Sequence, residues 1–134
     1  MPTISLLRPR GPIVRVLAVD DDDLMLRVLE RRLGDVVTLV TASSGERALA
    51  LLERDRDFAR LVFDVGMLPM SGIELFRRIA DRWPEISARV VFLTGGAVDE
   101  PSRGFLASVP NPQLIKQPGF VDALLPLLGL APGA

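Results

Sequence analysis

Short apolar runs alternate along the chain with longer stretches in which apolar residues recur every three or four positions. Val14 to Val19 reads as a buried strand, and Met25, Val28, Leu29 and Leu33 follow at helical spacing up to Gly34. Val36 to Thr41 is a second strand, and Ser43-Ser44-Gly45-Glu46 sets a capping box before the helical Ala48, Leu49 and Leu52. Leu61-Val62-Phe63 makes a third strand. Ser71-Gly72-Ile73-Glu74 is a second capping box, and Ile73, Phe76, Ile79, Ala80 and Trp83 share one helical face until Pro84 stops it. Val90 to Leu93 gives the fourth strand, Asp99-Glu100-Pro101 starts a short helix through Leu106, and Gln113-Leu114-Ile115 is a brief fifth strand. A last helix runs from Phe120 to Leu128, weakened by Pro126.

Five strands alternating with five helices predict an α/β fold, a doubly wound five-stranded parallel sheet with helices on both faces. Parallel neighbours need crossovers, and ligands of such sheets collect beyond the carboxyl ends of the strands, near the switch in strand order. Those ends carry the chemistry here. Strand one runs without a turn residue into Asp20, Asp21, Asp22 and Asp23, strand three ends in Asp64, strand four in Thr94, and strand five in Lys116. Clustered carboxylates repel one another unless a cation, a lysine or a helix N-terminus compensates. Taken alone, the run fits a metal site and an acidic helix cap equally well.

Composition narrows the choice. At 134 residues and 49% hydrophobic the chain is one domain able to bury a core without staples. With neither cysteine nor histidine, disulfides, thiolate chemistry, histidine metal sites and phosphohistidine within this chain are excluded, which leaves oxygen chemistry. Sixteen basic against seventeen acidic residues offer no general attraction to nucleic acid or anionic lipid, so no nucleic-acid partner is expected. No apolar run approaches a membrane span and the N-terminus lacks the order of a secretory signal, so no membrane association and a cytoplasmic location are expected. Residues 1–12, with prolines 2, 9 and 12, read as a flexible arm or linker, residues 13–129 as the domain, and 130–134 as a tail.

Each rim group has a task if the ligand is a phosphoryl group with Mg2+. Magnesium takes hard oxygen ligands, which Asp21 and Asp64 would supply directly and Asp20 through water. A carboxylate is also a competent nucleophile toward phosphorus when a metal and a cation neutralise the incoming anion. Lys116 would hold one phosphoryl oxygen and the Thr94 hydroxyl another.

Val-Leu-Ala-Val-Asp20-Asp21-Asp22, Phe63-Asp64-Val65 with Met67 and Gly72, then Thr94 and Lys116, together resemble the receiver domain of bacterial response regulators over residues 13 to 129. The intervals between Asp21, Asp64, Thr94 and Lys116 follow that family's layout, with strand order 2-1-3-4-5. Phe92 to Ala97 with Val109 to Pro112 are also similar to receivers at the C-termini of hybrid sensor kinases. The resemblance implies that Asp64 accepts a phosphoryl group from the phosphohistidine of a sensor histidine kinase or histidine phosphotransfer protein. It further implies that Asp20, Asp21 and the Gly66 carbonyl join Asp64 as metal ligands, that Thr94 senses the phosphoryl group, and that Lys116 pairs with it. The chain would then catalyse its own Mg-dependent phosphorylation and dephosphorylation, without being a conventional enzyme, and switch a downstream protein partner. Asp22 and Asp23 would serve the first helix.

Three positions depart from the family pattern. Gln117 separates Lys116 from Pro118, so a trans bond or a rebuilt turn is expected after the lysine. Pro69 lies one position late, so the loop from Gly66 is expected to be reshaped while Gly72 keeps its register. Gln113 replaces the aromatic that reports phosphorylation in the family, leaving Phe105 or Phe120 as substitutes. Gly66 and Gly96 stand where side chains gate water in the family, and the site is expected to be open to hydrolysis. The Leu-rich stretch from 124 to 130 either covers the sheet or leaves apolar area for a partner or a phosphorylation-dependent dimer. Two other classes compete: a phosphorylation-independent pseudo-receiver acting as a protein-interaction module, and a Mg-dependent phosphohydrolase, against which Gly66 stands in place of a second acid.

Overall fold

The computed structural model describes residues 14–130, so the arm at 1–12 and residues 131–134 of the tail lie outside the described residues. The elements run β1 (Arg15–Val19), α1 (Asp23–Leu33), β2 (Thr38–Ala42), α2 (Gly45–Arg54), β3 (Arg60–Asp64), α3 (Gly72–Arg82), α4 (Pro84–Ser87), β4 (Val90–Thr94), α5 (Glu100–Ser108), β5 (Gln113–Ile115) and α6 (Phe120–Leu127). All strand pairs are parallel, and the order is β2-β1-β3-β4-β5.

Burial along each strand follows its place in that order. The central β1, β3 and β4 are buried almost throughout, whereas the edge strands β2 and β5 are largely half-exposed or exposed. A strand covered on both faces needs apolar residues at every position, which is why the central three read as unbroken runs. Alternate residues of β1 then enter two different cores. Leu17 and Val19 join Phe63, Phe92 and the inner faces of α2 and α3, while Val16 and Ala18 join Val62, Val91, α1 and α6.

Three of the expected helix starts hold, whereas α2 is capped by Ser44, which accepts from the Arg47 N–H, rather than by Ser43 of the expected Ser43-Ser44-Gly45-Glu46 box. Asp22, Ser44, Ser71 and Asp99 are the N-caps of α1, α2, α3 and α5, each accepting from a backbone N–H of the first turn. Two further boundaries differ from expectation. Val36 and Val37 donate to the Leu33 carbonyl and continue the turn after α1, so β2 begins at Thr38. Pro84 begins the extra helix α4, because a proline at the first helical position loses no hydrogen bond there. Val121 and Leu124 of α6 and Leu128, its C-cap, are buried, and Leu125 and Leu127 pack partly against the same core, so this helix covers the sheet.

Candidate functional site

In this strand order the chain leaves β1 toward β2 and returns on the other side to β3, so the carboxyl ends of β1 and β3 border the topological switch. Asp20 directly follows β1 and Asp64 is the last residue of β3. Both are buried, at 2% and 5% exposure, whereas Asp21 is exposed. Oxygens of Asp20, Asp21 and Asp64 all lie within 4.8 Å of one another. Lys116, one residue past β5, reaches across the rim: its Nζ lies 3.0 Å from Asp64 Oδ1 and 3.3 Å from Asp20 Oδ2.

The backbone around this group is held as closely as the side chains. Asp22 N–H donates to Asp20 Oδ1 at 3.0 Å, and Leu68 N–H donates to Asp21 Oδ2 at 3.2 Å. Lys116 N–H donates to the Thr94 carbonyl at 2.7 Å, tying the end of β5 to the end of β4. Thr94 is buried at that end, one residue beyond Leu93, the strand partner of Asp64. The structure therefore brings Asp20, Asp21, Asp64, Thr94 and Lys116 to one rim. Gly66 lies on the same rim two residues after Asp64.

Electrostatically the site is short of positive charge, with one ammonium facing three carboxylates. Burial pushes the Asp20 carboxyl above its ordinary value and the Asp64 charge adds to this, against the opposing pull of the Asp22 N–H and Lys116. For Lys116, burial opposes the charged form, but the hydrogen bond to Asp64 and the charges of both aspartates outweigh it and raise its pKa. Hard oxygen donors with an excess of negative charge suit a divalent cation such as Mg2+, so the donor set fits that ion.

The departures from the family pattern resolve locally. The bond after Lys116 is trans, since Leu68-Pro69 is the one cis peptide among the described residues. Gln117 N–H donates to the Ile115 carbonyl and Phe120 N–H to the Gln117 carbonyl, with Gly119 at φ 87°, so the turn is rebuilt ahead of α6. The Gly66 loop tucks Met67 and Met70 into the core and turns Leu68 outward, where its N–H meets Asp21. Sequence reasoning missed that contact, because a backbone donor leaves no side-chain signal. Gln113 donates from Nε2 to the Leu106 carbonyl at 2.6 Å. Phe105 packs edge-on against Phe76 and Phe92 under the Arg77 guanidinium. Phe120 lies against the other core, with α6.

The family model for the response regulator receiver domain matches residues 16–109. The chain belongs to that family. Among receivers and their relatives, it is 34% identical over 76 residues to the hydrogenase transcriptional regulatory protein HoxA of Cupriavidus necator, covering 57% of this chain and 16% of that protein. It is 35% identical over 77 residues to histidine kinase 3 of Arabidopsis thaliana, covering 57% of this chain and 7% of the kinase. The two-component response regulator ORR3 of Oryza sativa is 35% identical over 71 residues, 52% of this chain and 54% of the regulator. The chain thus spans from under a tenth to about half of these relatives' lengths. In fold it is similar to a receiver protein from Pseudomonas putida, with a TM-score of 0.77 at 22% identity over 89% of this chain and 98% of that one. The response regulator TrrA of Thermotoga maritima, solved in complex with Mg(2+)-BeF, has a TM-score of 0.67 at 24% identity over 84% of this chain and 93% of that one. No helix among the described residues is long and apolar enough to cross a membrane.

Proposed function

We propose that this receiver domain takes a phosphoryl group onto Asp64 from a phosphohistidine on a partner histidine kinase or phosphotransfer protein, and that the phosphorylated form switches a downstream protein partner. One observation carries the reading. Lys116, from the far end of the chain, sits within ion-pair distance of both buried aspartates at the rim where Asp21 and Thr94 also lie.

In the transfer an Asp64 carboxylate oxygen attacks phosphorus, a P–O bond forms, the P–N bond to the donor imidazole breaks, and the imidazole keeps the electron pair and takes a proton. The donor must come from elsewhere, since this chain has no histidine. Asp20, Asp21, Asp64 and the Gly66 carbonyl would hold Mg2+, which supplies charge neutralisation for the incoming phosphoryl oxygens. Lys116 places an ammonium 3.0 Å from Asp64 Oδ1, where that negative charge arrives, and the Thr94 hydroxyl is the remaining donor at the rim. The Mg(2+)-BeF complex of the Thermotoga receiver supports the same ligand chemistry for this one.

The test is incubation of the full chain with acetyl phosphate and Mg2+, followed by intact mass. The expected result is a single phosphoryl adduct that disappears with chelator and in Asp64→Asn. Absence of any adduct, with no Mg2+ binding, would leave the chain a phosphorylation-independent interaction module, and turnover of varied phosphate esters would make it a hydrolase.

A second outcome concerns lifetime. A Cβ added at Gly66 would stand 3.9 Å from Asp64 Oδ2 and clash with nothing, so a longer side chain there overhangs the carboxylate. Gly66→Gln is expected to lengthen the phosphoryl lifetime by about tenfold by obstructing water, read from the decay of the adduct after acetyl phosphate is removed. An unchanged decay rate would show that the glycine does not leave the site open. The same substitution at Gly96 is a poor probe, because its φ of 102° strains any other residue.

A further inference from the structure

A cleft lies at the end of the sheet opposite the carboxylates, where the starts of β3, β4 and β5 meet the last turn of α6. Its volume is about 260 Å³. The buried Val90 and Val91 form its floor, the exposed Pro112 and Pro126 with Leu127 form apolar walls, and Arg60 and Arg89 complete the lining.

The two arginines are held by backbone carbonyls and meet no carboxylate among the described residues. Arg60 donates from Nε to the Leu127 carbonyl at 3.1 Å and from Nη1 to the Ala59 carbonyl at 2.9 Å; Arg89 donates from Nη1 to the Phe58 carbonyl at 3.0 Å. Nη2 of each makes no hydrogen bond among the described residues. Arg15, Arg32, Arg78, Arg82 and Arg103 pair with aspartates or glutamates, whereas among the described residues Arg60 and Arg89, like Arg27, Arg31, Arg47, Arg54, Arg56 and Arg77, meet no carboxylate; of these eight, only Arg60 and Arg89 line the cleft.

We propose that this cleft docks an acidic-apolar peptide segment of a partner protein, with a carboxylate side chain received by Arg60 and Arg89 and a neighbouring apolar side chain set against Pro112, Pro126 and Leu127. Guanidinium N–H pairs bind carboxylates in a fixed, two-pronged geometry, and anchoring to carbonyls means that little side-chain freedom remains to be lost on binding. A bare anion or a nucleic-acid backbone would leave the apolar walls wet, so the lining favours a peptide. The cleft is separated from Asp64 by the length of the strands. Docking there is therefore compatible with both the phosphorylated and the unphosphorylated domain, and holds the partner whatever the state of the rim.

The experiment titrates acetyl-Leu-Glu-Leu-amide at millimolar concentration into the full chain and follows backbone amide NMR signals. Saturable shifts are expected at Arg60, Arg89, Gln113 and Leu127, with Asp64 and Thr94 unmoved and labelling by acetyl phosphate unchanged. Glutamine in place of the peptide's glutamate should weaken binding about tenfold on the unaltered protein, and Arg60→Gln with Arg89→Gln should weaken the glutamate peptide to the same degree. Because Arg60 also holds the end of α6, the double variant is checked by thermal unfolding, whereas the peptide comparison is independent of folding. The proposal is overturned by absence of saturable shifts, by equal binding of the glutamine peptide, by shifts centred elsewhere, or by tighter binding of a short oligothymidylate at the same residues.

Discussion

Lys116→Met lowers the stability of the Mg2+-free protein by about 3 kcal/mol at neutral pH, the low end of the cost of stripping one member from a buried ion pair. The lysine lies 3.0 Å from Asp64 and 3.3 Å from Asp20, and both carboxylates are buried. Methionine keeps much of the packing of the lysine stem, so the change is chiefly one of charge. Without the ammonium, the buried Asp20 carboxyl, already raised by burial, binds its proton still more tightly in the folded than in the unfolded chain. The folded state is then penalised as the pH rises above the ordinary carboxylate range, and the gap between variant and parent closes again below about pH 4. Urea unfolding in chelator over a series of pH values reads this directly. Labelling by acetyl phosphate should fall about a hundredfold in the same variant, because the transferred charge loses its nearest cation. A variant as stable as the parent at neutral pH would mean that the ammonium does not compensate the aspartates.

Gly72→Ala is expected to cost about 3 kcal/mol, at the upper end of the penalty for inserting a methyl into a filled site. The added Cβ would lie 2.3 Å from the Asp64 carbonyl oxygen, 2.9 Å from its carbonyl carbon and 3.2 Å from Val65 Cα. All three are backbone atoms at the end of a central strand, so relief requires α3 to move away from β3. Because the obstructed residue is Asp64, phosphoryl labelling should fall together with stability. Gly104→Ala is the control. It sits inside α5 with nothing within 4 Å of an added Cβ, and alanine there should stabilise by up to about 1 kcal/mol through helix propensity alone. Thermal unfolding of the two variants side by side distinguishes close approach of backbone from a general intolerance of the glycines.

Much of the fold could be read from the chain. Val16 to Val19, Leu61 to Phe63 and Val90 to Leu93 are unbroken apolar runs because they become the three central strands, and Asp22, Ser71 and Asp99 cap where capping was expected, while the cap of α2 falls on Ser44, one residue later than Ser43. The edge strand β2 was the least legible. Val36 and Val37 have strand character, yet the carbonyl of Leu33 captures both N–H groups and delays the strand to Thr38. Pro84 likewise reads equally well as the end of one helix or the first residue of another, and here it is the latter.

The candidate site divides in the same way. Its residue types and their positions after strands were readable in one dimension, and the resemblance to receivers assigned them roles. The reshaped surroundings were not readable. The Leu68 N–H on Asp21, the turn through Gln117 and the seating of Phe105 against Phe76 and Phe92 depend on which elements become neighbours in space.

By itself the sequence determined that a parallel sheet forms and that acids, a hydroxyl and an ammonium end its strands, because a doubly covered strand must be apolar throughout and its polar residues fall where burial stops. Tertiary structure alone decided that Lys116 stands between Asp20 and Asp64 rather than in solvent, since that meeting follows from the order β2-β1-β3-β4-β5. Strand order is set by packing both faces of the sheet at once, a property of the whole chain that no local period or propensity contains.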